Sequence, residues 1–202
     1  MSGTISLDAR CAQTTKTIMV DRILPRTEFI HRQRVAAARL LEGALIGAAD
    51  RAERLARELA ASVASGRHTA QLPCRPKVYF EEWDDPMISG IGWVSELVDV
   101  AGGSDIFANR ASCKLAKDRI VTADEVIHFS PDIIIGSWCG KKFRPEKVAQ
   151  RPGFDCIPAV KRGELHEIKS SLILQPGPAA LTDGLAALQA IVVNAITHLR
   201  PT

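Results

Sequence analysis

Two short apolar runs constrain this chain more than anything else in it: "KVYFEEW", from Lys77, and "DIIIGSW", from Asp132. Both read as strands, and the second is apolar on every residue of its centre, as a strand covered on both faces is. Amphipathic stretches alternate with them. "ISGIGWVSELVDVAGG" predicts a helix stopped by Gly102 and Gly103. "TADEVIHFS" predicts a helix with Thr122 as N-cap and Glu125 closing a capping box. "RPEKVAQR" is a short helix with Pro145 near its start, "DRIV" and "GELHEIK" are further short strands, and "GPAALTDGLAALQAIVVNAITHL" is a long closing helix. Strands that alternate with helices imply right-handed crossovers and a mostly parallel sheet covered on both sides. The expected fold class is therefore α/β.

Upstream the texture differs. "QRVAAARLLEGALIGAADRAERLARELAASVAS", from Gln33, is rich in Ala, Leu, Arg and Glu with apolar residues at helical spacing, and reads as two consecutive helices. Gly47 and Asp50 punctuate it, with Asp50 expected to cap the second helix. The first 32 residues show no sustained period of either kind and read as an irregular extension.

With 202 residues, 46% of them hydrophobic, the chain can bury one substantial core or two small ones. Its 26 basic and 23 acidic residues give a net charge of +3 and are mixed along the chain, so no basic stripe points to nucleic acid. The opening "MSGTISLDARCAQTTKTIMV" lacks the apolar core of a secretory signal, and no later run reads as the roughly 20 apolar residues of a membrane span. The five cysteines are widely spaced, without C-x-x-C, and are expected to be unpaired thiols.

On sheets of this kind, ligands sit beyond the carboxyl ends of the strands. Three segments follow strands: "WDDPMIS", "SWCGKKF" and "SSLILQPGP". They are expected to converge. The first continues "FEEWDDP", where Glu81, Glu82, Asp84 and Asp85 surround Trp83. A hard-cation loop does not match that spacing, and strand alternation sends Glu81 and Glu82 to opposite faces. A catalytic carboxylate pair needs a separation that sequence does not give, and G-x-S-x-G, H-E-x-x-H and a phosphate-cradling glycine loop are all lacking. The third reading is a pocket rim, with these acids as solvated or hydrogen-bonding groups beside an aromatic wall. Trp83 and Met87, then Trp138 and Phe143 with Lys141 and Lys142, then Leu172 to Gln175 supply apolar faces with a few polar handles, as a large, partly apolar ligand needs. Trp93, inside a helix with Val94, Leu97 and Val98, is assigned to the core.

"KVYFEEWDDPMISGIGWVSELVDVAGGSDIFA", "RIVTADEVIHFSPDIIIGSW" and "LILQPGPAALTDGL" resemble the substrate-binding proteins of ABC importers for vitamin B12 and iron siderophores, most closely the cobalamin-binding branch. The resemblance runs from about Gln33 to Leu199. It implies two α/β lobes joined by one long helix, with ligand held between them and not transformed. On that alignment, residues 33–48 resemble the connecting helix and residues 49–202 the second substrate-binding lobe. Residues 1–32 are too few for a first lobe, which typically needs about 100 residues, so that lobe is expected to be missing or misread.

The resemblance implies ligand-facing roles for Trp83, Asp84, Asp85, Met87, Ile88, Asp118, Trp138, Lys141, Ser171, Leu172 and Gln175. Asp124 resembles the exposed acid that docks onto the importer's permease. No cofactor is implied, cobalamin or a ferric siderophore being cargo. The family resemblance implies a periplasmic location, whereas the lack of a signal leaves the cytoplasm open. Two alternatives accompany this reading: a cytoplasmic corrinoid-handling enzyme, and a truncated chain that binds nothing. In the last case Trp83, Trp138 and the "LIL" run are expected to form an exposed apolar patch that drives dimerisation.

Overall fold

The computed structural model describes residues 40–69, 74–175 and 177–199. The expected extension over 1–32 and the first part of the expected connecting helix lie outside them. The chain divides into two compact units, Met1–Ala61 and Ser62–Thr202.

In the first unit, residues 40–45 are helical and a turn follows, with Gly47 at a φ of 72°, the left-handed region that glycine enters without cost. Helix α1 (Ala49–Thr69) begins there. The break falls where Gly47 predicts it. Asp50, however, lies inside the first turn of α1 and is not its N-cap. Its carboxylate still complements the partial positive charge of that helix end.

The second unit is built on a five-stranded sheet: β1 (Lys77–Asp84), β2 (Met87–Ser89), β3 (Ser104–Asp105), β4 (Ile133–Gly136) and β5 (Leu165–Glu167). The order is β2-β1-β4-β5. β1, β4 and β5 run parallel, in a register that sets Val78 beside Ile133 and Ile134 beside Leu165. The other edge of β1 is shared, with β3 parallel to its start and β2 antiparallel to its end. The helices are α2 (Gly92–Val100), α3 (Ala108–Ala111), α4 (Ala123–Phe129), α5 (Pro145–Ala149), α6 (Pro158–Arg162), α7 (Ser170–Ile173) and α8 (Leu185–Leu199).

Alternation along β1 and β4 divides the core. Tyr79 and Ile134 join Val126 of α4, Val148 of α5 and Ala159 of α6 in one buried cluster. On the opposite side Val78 and Val98 of α2 flank Gly103, and Phe80 and Val94 flank Gly90, where α2 packs against α8. The alternating strands and helices read from sequence thus stand as an α/β fold with a largely parallel sheet.

Four local expectations are corrected. "MIS", taken as loop, is β2, which folds back antiparallel on the end of β1 and pairs Met87 with Asp84 and Ser89 with Glu81. "DRIV", taken as a strand, is a 3-10 turn over Ala116–Arg119 followed by a single bridge from Ile120 to Ile88. Arg119 causes this: its side chain turns inward to Glu82 and the Ser89 carbonyl. "SSLI" is the single-turn α7. The last helix opens with a π turn over Ala180–Gly184 before α8. Residues Ala180–His198 are long and apolar enough to cross a membrane by length and composition. No such run was expected from the sequence; Leu181, Leu185, Leu188 and Val192 on it are buried within the unit.

Candidate functional site

The carboxyl end of β1 carries a dense polar arrangement, and Glu81 is its centre. The Glu81 side chain is fully buried. Arg151 reaches it with two nitrogens, 2.5 Å to Oε2 and 2.9 Å to Oε1. The Tyr79 hydroxyl donates to Oε2 at 3.0 Å, and Trp138 Nε1 donates to Oε1 at 3.0 Å. Both carboxylate oxygens therefore accept twice, which is what a charge so removed from water requires. Burial and the adjacent Glu81 charge push the Tyr79 phenol well above its ordinary pKa, so it stays a donor. Burial alone would lower the pKa of Arg151, but its bonds to Glu81 raise it, and the guanidinium stays charged.

Above this buried network lies an exposed layer. Trp83 is partly exposed, and its Nε1 donates to the Asp85 carbonyl at 2.8 Å, which fixes the indole at the hairpin turn. Lys141, from the loop after β4, forms an ion pair with Asp84 and holds its ammonium 4.2 Å from the Trp83 ring centre and 5.4 Å from that of Trp138. Those distances are within the reach of cation–π attraction. The loop is pinned on both sides. Trp138 and Phe143 are buried and meet edge to face at 5.0 Å, while Cys139, Gly140, Lys141 and Lys142 between them are exposed. Gly136 makes room for this closure, since a Cβ there would overlap the Phe143 ring. The Phe143 amide donates to Glu167 Oε1 at 3.2 Å, tying the loop to the end of β5.

Trp83, Asp84, Trp138 and Lys141 are thus brought together, as expected of the first two loops. Asp85 is exposed at the adjoining turn, and Met87 packs against the same cluster that buries Trp138. Ile88 is partly buried on β2. The remaining candidates sit on other elements of the unit. Asp118 is exposed on the 3-10 turn, and Asp124 is exposed in the first turn of α4. Ser171 and Gln175 are exposed and Leu172 is partly buried around α7. That turn is fastened by Trp93, whose Nε1 donates to the Ile173 carbonyl at 2.9 Å. Trp93 is accordingly partly buried and has a bonding role, not simply the core role expected of it.

Two further findings concern the acids and the expected apolar patch. Glu81 and Glu82 do face opposite ways, and both are hydrogen-bonded within the fold. Glu81 is buried as described, and Glu82 pairs at 2.6 Å with Arg119, which is 2% exposed. Trp138 and Ile173 are buried too, so the patch does not form from those residues. Sequence reasoning missed Tyr79, Arg119 and Arg151 as partners. One signal was available: Glu81 shares strand parity with Tyr79, which places an acid on a core-facing row.

A second polar group lies at the amino end of β5. The buried Glu164 carboxylate accepts from His166 Nε2 at 2.8 Å and from His198 Nδ1 at 2.7 Å. Burial raises its pKa, but the two imidazole bonds outweigh burial and hold it below the ordinary carboxylate value. Among the described residues, no group of three or more His, Cys, Asp and Glu side chains is arranged to hold a metal ion.

A parallel sheet with a polar and aromatic rim beyond its carboxyl ends is the architecture of a ligand-binding α/β lobe. The chain belongs to the periplasmic binding protein family, whose profile matches residues 40–172. Similar solved structures include a possible iron-binding, periplasmic solute-binding protein from Staphylococcus epidermidis. It is 18% identical, with a TM-score of 0.69 over 94% of this chain and 74% of that one. The periplasmic heme-binding protein RhuT from Roseiflexus is 22% identical, with a TM-score of 0.60 over 80% of this chain and 62% of that one. An ABC-type Fe3+-hydroxamate transport system structure from Saccharomonospora viridis is 20% identical, with a TM-score of 0.63 over 79% of this chain and 55% of that one. The chain therefore spans less than two thirds of the length of the latter two. No curated protein matches it.

Proposed function

We propose that this chain binds a metal chelate as the solute-binding component of an ABC uptake system and releases it chemically unchanged. The observation that carries this reading is the Trp83 and Lys141 surface. An indole fixed at the carboxyl end of the sheet, with one cation above it, offers an apolar face and a polar handle to a ligand that has both. The family membership and the iron, heme and hydroxamate proteins among its structural neighbours support a chelate as the cargo class. Cobalamin, implied by the sequence resemblance, is the remaining member of that class. The site acts outside the cytoplasmic membrane on this reading, with an importer permease as partner and Asp124 as a candidate docking acid.

The test is calorimetric titration of the 202-residue chain with hemin, a ferric hydroxamate and cyanocobalamin in parallel. We expect one of the three to bind at micromolar or tighter Kd and to be recovered intact. Trp83→Ala is expected to weaken that binding by about tenfold or more, which is the scale of losing one stacked aromatic face. Absence of heat with all three, from a chain that is folded by circular dichroism, overturns the reading.

A further inference from the structure

We propose that Lys141 is the specificity-determining residue of this site: its ammonium covers the Trp83 ring and moves aside only for a ligand that brings its own anionic group. The inference rests on the binding reading above and adds the ligand chemistry to it.

The geometry is that of a cover. The ammonium stands 4.2 Å from the centre of the Trp83 ring, on its face, and is drawn there also by Asp84. The Asp84 side chain is 16% exposed and the Lys141 side chain 42% exposed, so the acid is recessed and the lysine is the more exposed partner. A flat ligand therefore reaches that face of the indole only by displacing a cation that has both a ring and a carboxylate to hold it. A ligand with a peripheral carboxylate or hydroxamate oxygen offers the ammonium a replacement for Asp84. A ligand rimmed by neutral amides or esters does not. The cover thus links access to the ring with recognition of charge, and discriminates against neutral rims by leaving a cation unpaired.

Hemin and hemin dimethyl ester isolate the effect, since they share one flat face and differ in their carboxylates. Titrations followed by tryptophan fluorescence are run on the wild type, Lys141→Met and Lys141→Arg. Hemin is expected to bind the wild type about tenfold more tightly than the ester. That ratio should collapse to within about twofold in Lys141→Met, which keeps the stem, and return in Lys141→Arg, which keeps the charge. An unchanged ratio in Lys141→Met overturns the proposal.

A second arm needs no ligand. Quenching of Trp83 by iodide and by neutral acrylamide is measured, with Trp83→Phe as the background. Loss of the ammonium is expected to lower the iodide to acrylamide ratio by about twofold, because the local attraction for an anion disappears. A ratio that does not move shows that the cation does not sit at the ring, and the proposal fails whatever binds. If the quenching response is as expected but neither probe binds, the specificity role fails; the chelate-binding reading falls with it only where the ferric hydroxamate and cyanocobalamin also give no heat.

Discussion

Glu81 shows how a single residue can be read correctly in part and misplaced in full. Its facing was legible, because alternation in a strand is set by backbone geometry. Its burial was not, since Arg151 and Trp138 are remote in sequence and only the folded sheet brings them to it. Glu81→Gln should leave Arg151 charged and unpaired, and is expected to cost about 3–5 kcal/mol in urea denaturation. A loss of less than about 1 kcal/mol would mean the network is solvated. Glu164 yields a pH dependence. Its folded pKa lies below the unfolded value, so its contribution is complete above the ordinary carboxylate range and is lost as pH falls through the lowered value. The stability gap between wild type and Glu164→Gln should therefore be fully developed above about pH 5 and close by about pH 3. A gap that widens as pH falls below about 5 contradicts the sign.

Elements were legible where one local rule dominated. The capping box over Thr122 and Glu125 is present as read: the Glu125 amide donates to Thr122 Oγ1 at 3.3 Å, and the Thr122 amide donates to Glu125 Oε2 at 2.9 Å. Thr122→Ala is accordingly expected to lose about 1 kcal/mol in thermal or urea melts without changing ligand affinity. β4 was equally plain, because a strand buried on both faces must be apolar throughout. Residues 118–121 misled for the converse reason. Their alternation suits a strand, but an inward arginine bound to Glu82 and the Ser89 carbonyl holds the chain in a 3-10 turn, and sequence period carries no information about such a partner. At the end of β4, Gly136 marks a close approach that sequence shows only as a strand stop. Gly136→Ala should force Phe143 off its seat and cost about 1–3 kcal/mol, read by urea melts together with the iodide quenching of Trp83.

For the whole molecule, topology was the most legible level and the meeting of loops the least. Alternating runs fixed a parallel sheet, and the rule that ligands sit beyond strand ends placed two of the three expected loops together. The third loop, expected to converge with them, folds as the single-turn α7 and is held by Trp93. The residue pairs that decide such meetings, Lys141 with Asp84 and Phe143 with Glu167, lie far apart along the chain and leave no local pattern. The sheet also predicts how the unit opens. β4 has parallel neighbours on both sides and four buried residues in succession. Its amides are therefore expected to exchange with deuterium only through global unfolding, with protection equal to the full stability of the unit. Faster exchange at Ile134 or Ile135 than at the N-terminal amides of α4 would show a separate opening step.

The stretch from Cys139 to Lys142 is exposed, yet both of its ends are anchored by buried aromatics that answer to Glu81 and Gly136. Such a segment can be rewritten without renegotiating the core. Mutations there are cheap in stability, so ligand preference can drift or be engineered by exchanging those side chains, while the frame that presents them is inherited unchanged.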